Sequence, residues 1–224
     1  MTRLTYLERR WPDTPCFQQV AGRWCQDQSR LLLDLVWQGY DRLLSQDLSQ
    51  VPFSADDEAK EESLNYLLWL HIDRSMCGDE PFSVAHEVPE QKNRKRGRGK
   101  SPCPDIGFVL REYPRTVWPL EAKVLSRGDD IEPYLDEIRT NFLSGRYATF
   151  SNEGAMVGYL LNGIPDDTLD LIGGQLNQTL VPHPFFSVRP HRISQHQRKE
   201  MRTPNVSVKF ACHHLILRCT VVTG

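Results

Sequence analysis

Three features of the 224-residue chain predict an α/β fold built on a mixed sheet. Two long helical patterns come first. A cluster of short alternating or apolar runs then lies between Phe82 and Leu125, after which helical and strand patterns alternate to the end. The resulting order is helix, three strands, helix, strand, helix, strand.

Each element has its own signal. From about Arg23 to Leu44, Leu32, Leu35, Val36, Tyr40, Leu43 and Leu44 recur at helical spacing, and Trp11, Trp24 and Trp37 crowd the same region. Pro52 closes that unit. Ser54-Ala-Asp-Asp-Glu58 then offers a Ser cap with acids in the first turn of a second helix, which runs to about Arg74 and buries Leu64, Leu67, Leu68 and Ile72. Phe82 to Val88 alternates as a strand. Lys92-Asn-Arg-Lys-Arg-Gly-Arg-Gly-Lys100 holds no apolar residue and reads as a mobile loop. Strands follow at about 105–111 and 116–125. A helix over 130–143 carries Ile131, Tyr134, Leu135, Ile138 and Phe142 on one face. Ala155 to Leu161 reads as a buried strand, Asp167 to Gln178 as a helix and Val206 to Leu217 as a last strand.

Composition narrows the function classes. With 39% hydrophobic and 25% charged residues the chain is globular rather than fibrous or disordered. No apolar run reaches the roughly 20 residues of a membrane span, and Met1 to Asp13 lacks an apolar signal core. A cytoplasmic protein that avoids membranes is expected. The six cysteines are scattered and read as reduced packing thiols, without the closely spaced ligand pairs of a structural zinc site.

The net charge of −2 conceals two basic islands. Residues 1–91 hold 8 basic and 16 acidic side chains, 92–100 hold 6 and none, and 188–224 hold 7 and 1. Such islands on an acidic chain suit contact with a polyanion. The candidates are Lys92, Arg94, Lys95, Arg96, Arg98 and Lys100, with Arg192, His196, Arg198 and Lys199 in the tail. His213 and His214 fall on opposite faces of a strand, so the pair itself cannot chelate one ion and reads as buried or hydrogen-bonded.

The chemistry is carried by Pro104-Asp105 and by Glu121-Ala122-Lys123. Glu121 and Lys123 are two apart on a strand and share a face. A hairpin turning about Tyr113 pairs residues whose numbers sum to about 226, which sets Asp105 opposite Glu121, about 5 Å apart at Cβ. Two carboxylates so close repel unless a cation lies between them, and oxygen donors at that spacing suit Mg²⁺. Lys123 beside them can stabilise charge developing on a phosphate. Acid pair, divalent metal and lysine together describe metal-assisted phosphodiester hydrolysis.

Pro-Asp, a gap of about sixteen residues and Glu-x-Lys within an apolar strand closely resemble the PD-(D/E)XK nuclease superfamily, over about residues 55–162. The resemblance implies a restriction-endonuclease-like αβββαβ core, a mixed central sheet flanked by helices. On that reading 1–52 is an N-terminal helical extension, and 53–224 is the nuclease domain with a basic C-terminal segment. It also implies Asp105 and Glu121 as metal ligands and Lys123 as the catalytic cation. A glutamate from the first core helix often joins the metal. Glu61 is favoured over Glu62 because Leu64 and Leu68 share its face, and Glu87 is a further alternative. Gly145-Arg146-Tyr147 resembles a segment of some bacterial defence nucleases. The expected function is a Mg²⁺-dependent nuclease, with Mn²⁺ able to substitute. It would act as an endonuclease on DNA rather than RNA, as an effector of anti-phage defence. The N-terminal helix would support a homodimer or a partner protein of the defence system, or cap the sheet within the chain. The alternative is a catalytically silent scaffold of the same fold that binds a partner through that helix.

Overall fold

The computed structural model describes residues 17–87, 103–111, 117–148, 151–198 and 209–220, with side chains from Ser29 onward. The basic loop 92–100, Trp11, Lys199 and the side chain of Trp24 lie outside the described residues.

The chain is α/β. Helix α1 (Phe17–Gln46) leads through a 3₁₀ turn (Leu48–Gln50) to α2 (Asp57–Ser75). Strands β1 (Phe82–His86), β2 (Ile106–Leu110) and β3 (Val117–Leu125) follow. Helix α3 (Glu132–Glu137) continues as a π turn (Ile138–Phe142). Then come β4 (Glu153–Leu160), α4 (Pro165–Leu176), β5 (Val181–Pro182), β6 (His191–Gln197) and β7 (Lys209–Arg218). The seven strands form one mixed sheet in the order β1-β2-β3-β4-β7-β6-β5. β3, β4 and β7 run parallel at its centre, and the β1–β2–β3 and β7–β6–β5 meanders flank them antiparallel. No helix among the described residues is long and apolar enough to cross a membrane.

Period-two alternation in the central strands splits the core into two layers. Trp118, Leu120, Ala122 and Val124 of β3 face α1 and α2, together with Ala155, Val157 and Tyr159 of β4 and Leu215 and Leu217 of β7. Met156, Leu160, Cys212 and Ile216 face α3 and α4 on the other side. Cys212 and Cys219 are buried, as packing cysteines should be, whereas Cys77 is exposed.

The position of α1 decides between two expectations. Leu32, Leu33, Val36 and Leu43 are fully buried in the same core as the sheet. The Tyr40 hydroxyl donates to the Arg218 carbonyl at 2.8 Å, and Gly39 lets α1 close onto Ile72 of α2. The described apolar face of α1 therefore caps the sheet within one chain. Leu44 lies off that face at 38% exposed, because it sits about 100° round the helix from Leu43.

Other elements depart from expectation for local reasons. The cap of α2 is Asp56, not Ser54: its carboxylate accepts from the Ala59 amide at 2.9 Å, while Ala55 is held back in a turn to the Pro52 carbonyl. Helix α4 starts at Pro165, where a missing N–H costs nothing, and stops at Asn177 in the left-handed conformation. Strand β6 occupies the basic tail. Its polar string His-Arg-Ile-Ser-Gln-His-Gln gives no strand signal of its own. Arg192 there pairs with Asp166 and Asp170 of α4. Arg198 is buried over the Phe210 ring and donates to the Ala148 carbonyl. Within the described residues both guanidiniums are engaged by the protein itself.

Candidate active site

The β2–β3 register pairs Ile106 with Leu120 and Phe108 with Trp118, each summing to 226. Continuing by one residue brings Asp105 beside Glu121, on the face turned away from α1. Even-numbered residues of both strands fill the core under α1 and α2, so the odd-numbered Asp105, Glu121 and Lys123 emerge together on the other face.

The two acids are poorly satisfied. Asp105 accepts from the Ala122 amide through Oδ2 at 2.9 Å. Burial pushes its carboxyl up to about 6, and Glu61 and Glu137 add to this against the opposing pull of the amide and Lys123. Glu121 is only 5% exposed, and one of its carboxylate oxygens is buried with no hydrogen-bond partner. Burial first, then repulsion from Asp105 and Glu137, raises it well above the usual carboxylate range. A buried carboxylate oxygen without a donor is costly.

Lys123 stands two residues along the same face. Its Nζ donates to Glu61 Oε1 at 2.7 Å and lies 3.8 Å from Glu137 Oε1. Burial alone would depress the ammonium, but Glu61, Asp105 and Glu121 outweigh it and raise its pKa. The surrounding acids thus favour the ammonium form of Lys123.

Among the upstream acids, Glu61 of α2 contacts Lys123, while the Glu87 amide donates to the Asp105 carbonyl at 2.8 Å. Both oxygens of Glu61 are engaged, Oε1 by Lys123 and Oε2 by the Val124 amide at 3.1 Å. Glu62 is exposed, and Glu87 is exposed beyond the end of β1 with a positive φ. Glu61 thus holds the lysine and clamps the backbone of β3.

Glu137 is the acid the sequence reading missed. It ends α3 just where the backbone widens into the π turn, with the Leu143 amide bonded to the Ile138 carbonyl at 2.9 Å. Asn141 donates to the Glu137 carboxylate across that turn. The available signal is the pair Glu137 and Asn141, four apart and flanking the buried stripe of Tyr134, Ile138 and Phe142. Tyr147 closes the floor. It is 5% exposed, and its hydroxyl donates to the Cys103 carbonyl at 3.0 Å. Burial and then Glu121, Glu137 and Asp105 raise its pKa, which marks it as a neighbour of all three acids.

One region beside β2 and β3 thus gathers Asp105, Glu121, Glu137, Glu61 and Lys123, from the start of β2, β3, α3 and α2. Asp105 and Glu121 are the donors suited to a hard divalent cation. The chain matches no family model, and has no significant match among curated proteins or solved structures.

Proposed function

We propose that this protein is a metal-dependent nuclease of the PD-(D/E)XK type that hydrolyses phosphodiester bonds, with DNA as its substrate. One observation carries the reading: a buried Glu121 beside a half-buried Asp105 on the neighbouring strand, with an unpartnered Glu121 oxygen and a lysine two residues on. The order α2-β1-β2-β3-α3-β4 supports it, because that is the order of the superfamily's core.

The donor set fits Mg²⁺. Asp105 and Glu121 would hold it, and its binding would offset the burial and the neighbouring acids that raise both carboxyls. When bound, the ion supplies Lewis-acid stabilisation of the phosphate and a more acidic water. Lys123, in its ammonium form, donates to the phosphate oxygen on which charge develops. Glu61 and Glu137 aim the ammonium, and Glu61 also anchors β3 through Val124. The basic segment 92–100 precedes Asp105 by a few residues in the sequence, so phosphate contacts are assigned to it from charge and chain position. A place in anti-phage defence rests on the resemblance alone.

The test is incubation of the full chain with supercoiled, linear and single-stranded DNA and with RNA, in Mg²⁺, Mn²⁺ or EDTA. Cleavage of DNA that needs the metal and fails in Glu121→Gln is expected. Metal-dependent cleavage confined to RNA would reassign the substrate. No cleavage of any substrate in either metal would overturn the nuclease reading in favour of a silent scaffold.

A further inference from the structure

On the opposite face of the sheet, three histidines meet beneath α1. His183 follows β5, His191 opens β6 and His213 lies within β7. They are 4%, 1% and 2% exposed. One ring nitrogen of each lies within 4.8 Å of those of the other two, and His191 Nε2 is 3.3 Å from His213 Nδ1. Filling space does not require this, since an aliphatic trio would bury no polar nitrogens. Two further facts stand out. His213 Nε2 is buried without a hydrogen-bond partner, and Glu153 Oε2 lies 3.8 Å from it.

We infer that His183, His191 and His213 form a binding site for a transition-metal ion of the zinc class, with Glu153 bracing His213 from behind. Tetrahedral zinc with bonds of about 2.0–2.1 Å to nitrogen sets its ligands about 3.3–3.4 Å apart. The His191–His213 separation already has that value. His183 completes the triangle by a small closure of the turn between β5 and β6. Imidazole selects zinc, copper or nickel over magnesium, so this site and the carboxylate pair prefer different metals. A carboxylate behind the distal nitrogen of a ligating imidazole orients the ring and raises its basicity, and Glu153 stands in that position. Ligation through His191 Nε2 moves that ring's proton to Nδ1. The long contact from the Trp37 indole N–H, 3.4 Å, is then given up. The ion would staple the β5–β6 turn to β7 under α1.

The experiment uses the full chain carrying Asp105→Asn and Glu121→Gln, which removes the carboxylate pair and makes the result independent of the nuclease reading. Freed of metal with a chelator and titrated with Co²⁺, it should bind one ion with the visible absorption bands of tetrahedral cobalt, bleached by Zn²⁺. Adding His183→Ala should abolish the bands, and Glu153→Gln should weaken Zn²⁺ binding by about 10–100-fold. Absence of tetrahedral bands at saturating Co²⁺ overturns the site, as do bands of full strength in His183→Ala. If His183→Ala does not fold, the Co²⁺ spectrum of the parent chain and the Glu153→Gln affinity decide.

Discussion

Glu121 holds a carboxylate in a strand interior where an apolar side chain would cost nothing, and that cost shapes what its substitution does. Glu121→Gln and Asp105→Asn should each reduce cleavage by at least about 100-fold, and Lys123→Met by about 10²–10³-fold. The first two should also raise the melting temperature of the metal-free protein, because each removes a buried charge that burial and its neighbour disfavour. A melting temperature that falls in both would sink the repulsion argument. The pH dependence follows from the same shift. The folded-state pKa of Asp105, about 6, lies above the unfolded value of about 3.9. Its contribution to stability is therefore fully present below about pH 4 and is lost as pH rises through about 6. The advantage of Asp105→Asn over the parent should be largest at pH 8 and shrink as pH falls toward 4. Buried His183 and His191 shift the other way, but both proteins carry them and they cancel in the difference. Melting curves of the two proteins in EDTA from pH 4 to 8 check this, and a constant gap would refute it. Asp105, Glu121 and Lys123 were legible in the sequence because hairpin register and strand period are local rules. Glu137 and the three histidines were not, since they meet only through packing of elements far apart in the chain.

At the scale of elements, legibility followed the strength of the period. Helices α1, α2 and α4 and strands β1 to β4 each carry one dominant repeat of apolar residues, and the structure forms them within a few residues of the expected bounds, α1 beginning earlier. Strand β6 has Ile193 as its sole aliphatic residue, and its burial comes from His191 and Ser194, which need partners on distant elements. The Ser194 hydroxyl meets His214 Nε2 at 2.7 Å, and His214 in turn meets the Tyr134 hydroxyl at 3.0 Å on α3. No local pattern announces such a chain. The α1–α2 crossing gives a sharper test. A Cβ added at Gly39 would lie 2.7 Å from the Ile72 side chain and 3.0 Å from its backbone nitrogen, whereas one added at Gly174 in α4 meets nothing within 4 Å. Alanine gains up to about 1 kcal/mol of helix propensity at either position. Overpacking at the crossing costs about 1–3 kcal/mol. Gly39→Ala should therefore destabilise and Gly174→Ala should not, as urea unfolding of the two variants would show. Equal effects would mean that the crossing is looser than drawn.

For the whole molecule, the two faces of the sheet do different work. The α3 side carries the acid pair at the sheet's β2–β3 end, and the α1 side carries most of the core and the histidine trio. That division makes α1 indispensable, although the αβββαβ order is complete without it. Its Leu32, Leu33, Leu35, Val36, Trp37, Tyr40 and Leu43 are all buried, the least of them Tyr40 at 7% exposed. Burying side chains of this size is worth about 1.5–3 kcal/mol each. Seven of them amount to about 10–20 kcal/mol, and even with a discount for a compact unfolded state this is comparable to the roughly 5–15 kcal/mol that holds a whole domain folded. Deleting α1 also exposes the apolar layer formed by Ala155, Val157, Leu215 and Leu217, and strips Trp37 from His191. A chain beginning at Val51 should therefore lose its cooperative thermal transition and aggregate, instead of giving a smaller, active monomer. Circular dichroism melting and sedimentation of the two lengths decide it. A truncated chain that melts cooperatively within a few degrees of the full one would show that α1 is an appendage after all, and would return its apolar face to the service of a partner.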